Sequence, residues 1–176
     1  MNRRAMLRMA GATLALASRA PVAIAMQNAL DRAKAEPSIA PLTTEFVLEA
    51  LVTLEPAVQI GPSADGVRRY IPITGGTFHG PRIQGVVLPG GADWQVDRVD
   101  GVTELDALYS IKTNDGAVII VRNRGLYVDK GAYFRTVPEF KAPRGPYDWL
   151  NKNVFVGSVA GAPQPNAVVV RVFRVL

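Results

Sequence analysis

In the stretch Val87 to Gln95, VLPGGADWQ, a carboxylate and an indole, Asp93 and Trp94, follow directly on Pro89, Gly90 and Gly91. Neighbouring residues on a strand face opposite ways, so after such a bend one of the two is expected to point inward. An inward Asp93 is a partly desolvated carboxylate and a candidate base. An inward Trp94 makes an aromatic wall and leaves Asp93 as a turn or rim partner. Further polar and aromatic groups stand in β-rich surroundings: Arg68, Arg69, Tyr70, Asp106, Tyr109, Tyr133, Arg135, Trp149 and Asn151. A carboxylate can move a proton while Arg and Tyr donors stabilise an enolate or oxyanion, chemistry that needs no cofactor. We therefore read Asp93 as base or orienting group, with Arg135 and Tyr133 as donors. Trp94, Asp106, Tyr109, Arg69, Trp149 and Asn151 are the candidate ligand-binding residues. The structural alternative is that Asp93 or Asp106 pairs with a nearby arginine simply to tie strands together.

Other chemistries lack their residues. His79 is the single histidine, which removes multi-histidine metal sites and leaves a serine triad resting on one residue. No Gly-x-Ser-x-Gly elbow accompanies it, and GSVAG at Gly157 to Gly161 has the wrong order. His79 itself reads as a surface or structural residue. GGTFHG, Gly75 to Gly80, lacks both the order and the following helix of a phosphate loop and reads as a tight strand connection. Asp93, Asp97, Asp100 and Asp106 do not have the spacing of a calcium loop, so no metal site is expected. With no cysteine, thiol nucleophiles, thiolate ligands and disulfides are all excluded.

The elements that must position these groups are short and β-rich. After residue 42 the chain runs TEFVLEALVTLE, VRRYIPI, RIQGVVL, WQVDRV, ALYSIKT, AVIIVRN, AYFRTV, NVFVGSV and VVVRVFRV, separated by Gly, Pro, Asn and Asp. Such spacing predicts an all-β protein. Asp100-Gly101 and Asn114-Asp115-Gly116 fall between runs, where glycine supplies positive φ, so successive strands are expected to pair as antiparallel hairpins. In VVVRVFRV both faces are largely apolar, which suits a single compact antiparallel β-barrel better than a sheet with one wet face.

Residues 1–25 have a paired arginine, Arg3-Arg4, then an apolar run and small residues ending at Ala23-Ile24-Ala25, the form of a twin-arginine export signal. Residues 26–41 read as a short helix or linker interrupted by Pro37 and Pro41, and 42–176 as the barrel domain. The formal charge of +5 mostly reports the leader: four of the 20 basic residues are Arg3, Arg4, Arg8 and Arg19, leaving 16 against 15 acidic ones. Nucleic acid is therefore not an expected partner, nor is a membrane once the signal is removed. A periplasmic or secreted protein with a small-molecule ligand is expected. The apolar faces leave a homo-oligomer open.

RYIPITGGTFHGPRIQGVVLPGGADWQVDRVDGVTELDALYSIKTNDGAVIIVRNRG, then YFRTVPEF, YDWLN and VFVG, resemble the domain of unknown function 3237 family, also called uncharacterised protein family 0311. The resemblance implies a compact β-barrel and runs from about Glu45 to the C-terminus. Its motif positions correspond to Gly75, Gly76, Gly91, Asp93, Trp94, Asp106, Tyr109, Tyr133, Phe134, Arg135, Trp149 and Asn151. Two departures stand out, Leu108 where the family has arginine and Lys141 where it has glutamate. If that arginine belongs to a shared site, this chain either lacks the activity or takes a less acidic ligand. Residues and resemblance together suggest an isomerase, cyclase or lyase acting without a cofactor on an apolar or carbonyl-containing metabolite. The competing reading is a non-catalytic ligand carrier or oligomeric interaction module.

Overall fold

The computed structural model describes residues 41–176, together with residues 24–26 and 28, whose backbone is helical. The expected leader and linker otherwise lie outside the described residues. Ten strands follow in chain order: β1 (Thr44–Leu54), β2 (Val58–Ser63), β3 (Gly66–His79), β4 (Gln84–Val87), β5 (Gly91–Asp97), β6 (Thr103–Thr113), β7 (Val118–Val128), β8 (Tyr133–Lys141), β9 (Phe155–Gly161) and β10 (Ala167–Val175). Each pairs antiparallel with its neighbours, and β1 joins both β10 and β3, which closes the sheet. β4 and β5 lie end to end between the same two partners, β3 and β6, and so form one stave. β1 and β2 lie in succession along β3 in the same way. Ten strands thus make a closed eight-stranded barrel, and the single antiparallel β-barrel that the sequence predicts is present.

Alternation sorts the wall into two faces. On β7 the buried residues are Ile119, Val121 and Asn123, while Val118, Ile120, Arg122 and Arg124 between them are exposed. On β8 Thr136, Pro138 and Phe140 are buried between exposed Arg135, Val137 and Glu139. Residues 142–154 join β8 to β9 across one end of the barrel, where the 3-10 turn Asp148–Lys152 buries Leu150, only 1% exposed. Trp149 packs 6.1 Å from Phe155, which meets Phe140 edge-on at 5.0 Å, and the Arg82 guanidinium lies 4.5 Å over the Trp149 ring. This end is filled. The other is ringed by the connections after β1, β5, β7 and β9.

Two features depart from the sequence reading. VQIGPS is a strand, β2, although Gly61 and Pro62 read as breakers; it pairs with β3 alone, and such a one-sided strand tolerates a residue without a backbone N–H. Gly75-Gly76 is not a strand connection. β3 runs straight through it, both glycines having positive φ, and the register against β1 shifts between Thr53 and Leu54. A Cβ on Gly76 would strike the Leu51 carbonyl oxygen. The pair lets β3 change partners, from β2 and β5 to β1 and β4, without leaving the wall.

Candidate functional site

Pro89-Gly90 does not turn the chain at the barrel mouth. It interrupts the stave midway, between β4 and β5, with the Gly90 amide donating to the Ile73 carbonyl (3.2 Å) and Leu88 to Ser110 (2.8 Å). The phase of β5 follows from Gly91. A Cβ there would lie 2.5 Å from the Cβ of Tyr109, so only glycine admits the Tyr109 ring to the interior at this level. Two residues on, in the same phase, comes Asp93, and two further, Gln95. Asp93 therefore points inward. Trp94 points out, half exposed, and stacks on Tyr70 with ring centres 4.8 Å apart.

Asp93 and Gln95 face an internal cavity of about 100 Å³ lined by two unlike walls. Strands β5 to β8 contribute Asp93, Gln95, Tyr109, Asn123 and Thr136. The opposite wall, from β1, β3, β9 and β10, is apolar, with Val52, Leu54, Ile73, Val159, Val168 and Val170. Gln95 Nε2 donates to Asp93 Oδ2 (2.6 Å), Arg69 Nε donates to Gln95 Oε1 (2.8 Å), Arg69 also pairs with Asp97, and Thr103 Oγ1 donates to Asp97 Oδ1 (2.6 Å). A continuous chain of hydrogen bonds thus runs from the mouth to one oxygen of the buried carboxylate and fixes its orientation. The other oxygen, Asp93 Oδ1, is buried and has no hydrogen-bond partner among the described residues; the same holds for Asn123 Oδ1 and Thr136 Oγ1.

Buried polar atoms are nearly always paired, so three orphans around one cavity mark it as a place built for something else. The electrostatics agree. Burial raises Asp93 from 3.8 to about 6, against the lowering effect of the Gln95 hydrogen bond. Burial likewise raises the Tyr109 phenol, with the Asp93 charge adding to it. Asp97, at the mouth, is lowered by the Thr103 hydrogen bond and by Arg69. Two carboxylates on one face of one strand are thus driven apart, and the inner one changes protonation near neutrality.

The other expected site residues fall elsewhere. Arg135 and Tyr133 do not converge with Asp93; both are exposed on β8, with the guanidinium 5.5 Å from the Tyr133 ring and Nη1 donating to the Phe134 carbonyl (3.0 Å). They line a separate groove of about 520 Å³ on the outer face, with Leu126, Val137, Val156 and Phe173. Asp106 also faces out, held by Arg122 through two hydrogen bonds of 2.9 and 2.6 Å, which keep its carboxyl below the ordinary range. Trp149 and Asn151 belong to the filled end, where Asn151 brackets Ala142 by accepting from its amide and donating to its carbonyl. His79 is exposed at the end of β3. Leu108 is half exposed on the outer face and does not line the cavity. Among the described residues no cluster suited to holding a metal ion occurs. Gln95, Asn123 and Thr136 were not among the expected site residues. Their signal was phase: Asn123 and Thr136 are polar residues in the otherwise apolar inward registers of β7 and β8, and Gln95 shares the inward phase of Asp93 on β5.

Comparison with known proteins gives this barrel its relatives. Residues 42–175 match the family described as "Protein of unknown function (DUF3237)". The chain belongs to this family. The family's UPF0311 protein RPA1785 of Rhodopseudomonas palustris (strain ATCC BAA-98 / CGA009) is 39% identical over 151 residues, covering 77% of this chain and 97% of its own. The crystal structure of RPA1785 superposes with a TM-score of 0.72 at 38% identity, covering 78% of this chain and all of that one. A "beta-barrel like protein" from Acinetobacter baumannii AYE superposes equally well, TM-score 0.72 at 31% identity, over 80% of this chain and all of that one. One more distant relative carries an activity in its name: the hydroalkoxylation enzyme phnH of Penicillium herquei is 32% identical over 111 residues, 63% of this chain and 70% of its own. The crystal structure of an enzyme from that fungus superposes with a TM-score of 0.67 at 26% identity, over 80% of this chain and 99% of that one.

Proposed function

We propose that the protein is a proton-transfer enzyme whose acid is Asp93, acting on a small neutral molecule that enters the barrel, and that it adds a hydroxyl across a carbon–carbon double bond within one substrate. The observation that carries this is the buried, unpartnered Asp93 Oδ1 in a cavity, on a carboxylate whose second oxygen is already held by Gln95. A group titrating near 6 is available in both forms at physiological pH, as a proton donor that must be recharged requires. The relation to a hydroalkoxylation enzyme supports the choice of reaction. In the step, protonated Asp93 gives its proton to one alkene carbon, the substrate hydroxyl oxygen forms a bond to the other, and the hydroxyl proton returns to Asp93. The product is an isomer of the substrate, and the enzyme ends as it began. Ring closure of this kind falls within the cyclase chemistry expected from the sequence. The 1–25 leader supports a periplasmic or secreted location for the enzyme.

The test is incubation with ortho-allylphenols in deuterated water, following the cyclised isomer and its carbon-bound deuterium by mass spectrometry. The wild type should form it and Asp93→Asn should be slower by at least ~100-fold, the scale of a lost general acid. Because the reactive form is the protonated one, the rate should fall as pH rises through about 6. Equal rates for the two proteins, or a rate that rises through that pH, would overturn the assignment. Binding without turnover in either protein would leave the carrier.

A further inference from the structure

The cavity also specifies what must enter it. Asn123, 6% exposed, and Thr136, 4% exposed, present Oδ1 and Oγ1 without partners among the described residues, and they do so from β7 and β8, across β6 from Asp93 on β5. Opposite Asp93 in the ladder is Ala107, and opposite Ala107 is Asn123, so a methyl group alone stands between the acid and the second polar point. Space for the second point is made by glycine. A Cβ on Gly157 would collide with Thr136 Oγ1, and one on Gly125 would come within 2.5 Å of Thr136 Cγ2. Side chains at either position would fill the place where Thr136 stands. The opposite wall, from β1, β3, β9 and β10, offers no side-chain hydrogen bond, and no lysine or arginine is among the described residues lining the cavity. Arg69, the nearest guanidinium in the network, is spent on Gln95 and Asp97.

We infer that the substrate is a neutral single-ring compound with two hydroxyl groups, one reacting at Asp93 and a second, non-reacting one held by Asn123 Oδ1 and Thr136 Oγ1. The inference rests on the proposed acid at Asp93 only for which hydroxyl reacts. Asn123 Oδ1 is an acceptor and calls for a donor; Thr136 can complete the pair by donating to the same oxygen. A carboxylate in place of that hydroxyl would bring an anion to an acceptor oxygen and to Asp93, with no cation to offset it. An amine would find no carboxylate beside Asn123. The apolar wall suits an apolar framework; at about 100 Å³ the cavity is smaller than the ~150 Å³ that holds benzene, so it takes the hydroxyl-bearing edge of one ring and the rest of the molecule extends into the mouth. Any larger substituent must leave through the mouth.

The experiment is isothermal titration of the barrel protein with resorcinol, catechol, phenol, toluene and benzoate, on the wild type and on Asn123→Leu and Thr136→Val. The dihydroxy compound that fits should bind at least ~5-fold more tightly than phenol, as one buried hydrogen bond provides. Asn123→Leu should bring that ratio to about one. Thr136→Val preserves shape and should halve the preference at least, which covers the case in which the Asn123 variant does not fold. Equal affinity for phenol and both dihydroxy compounds, a preference unaltered in Thr136→Val, or tightest binding of benzoate would each overturn the inference. The two readings fail separately. A dihydroxy preference together with turnover that survives Asp93→Asn removes the acid and leaves the substrate class; Asp93-dependent turnover without the preference does the reverse.

Discussion

Replacing Asp93 with asparagine should make the protein more stable, and only above a defined pH. In the folded state the carboxyl holds its proton up to about 6, whereas its ordinary value is 3.8. A raised value means that the folded state binds the proton more tightly than the unfolded chain does. The stabilisation from protonation is therefore complete below about 3.8 and is lost as pH rises through about 6. At ~1.36 kcal/mol for each tenfold difference in proton affinity, ionised Asp93 costs the fold about 3 kcal/mol at pH 7. Asparagine keeps the shape, can accept from Gln95 Nε2 with its own oxygen, and never ionises. The two proteins should have the same Tm near pH 4 and diverge above it, with the variant higher by roughly 6–12 °C at pH 7.5, taking 2–4 °C per kcal/mol. Differential scanning calorimetry from pH 4 to 8 measures this directly. Parallel pH profiles, or a variant that is less stable at pH 7.5, would show that Asp93 is not desolvated in the folded protein. Asp93 would then hold no proton near neutral pH and could not serve as the acid. A residue whose removal stabilises the fold while abolishing turnover is what a site under functional constraint looks like.

Three other outcomes follow from the same geometry. Gln95→Leu removes the hydrogen bond that lowers Asp93, so the Asp93 carboxyl should titrate above its wild-type value, seen as a shifted midpoint in the carbon-13 NMR signal of that carboxyl and in the fall of rate with pH. Gly76→Ala places a methyl group against the Leu51 carbonyl oxygen at a φ of +137°, and should cost ~2–5 kcal/mol by urea denaturation, with Gly101→Ala, where nothing lies within 4 Å, the milder control. Arg3→Lys combined with Arg4→Lys should leave the full-length protein in the cytoplasmic fraction, since the paired arginines are what the proposed export route reads.

Much of the barrel was legible because short-range physics writes it. Alternation in Val118–Val128, the Asp100-Gly101 and Asn114-Asp115-Gly116 turns and the absence of helical periodicity after residue 42 are local features, and they predict antiparallel strands wherever the chain is cut. Strand β2 escaped because Gly61 and Pro62 are breakers in a paired strand but tolerable in one that pairs on a single side, and which strands those are is a property of the sheet. Gly75-Gly76 was misread for a related reason. In isolation two glycines mean a turn; only the approach of Leu51 from β1 shows that they are needed inside a continuous strand.

The candidate site divides along the same line. The sequence alone determined that a carboxylate and an indole would take opposite faces of a strand after Gly91, that cysteine chemistry was excluded, and that a single histidine could not build a multi-histidine metal centre. It also carried the family resemblance, but the positions that resemblance singled out did not distinguish the wall from the interior. Of the positions the resemblance singled out, Asp93 and Tyr109 face inward, whereas Asp106, Tyr133 and Arg135 face outward, where Asp106 and Arg135 bond locally. Tertiary structure decided the rest: closure of β1 on β3 placed an apolar wall opposite Asp93, and the register of β6 and β7 brought Asn123 into its level. A carboxylate becomes an acid near neutral pH only when water is removed from around it. That removal is accomplished by strands about 70 residues apart in the chain, such as β5 and β10, and no local pattern of residues records it.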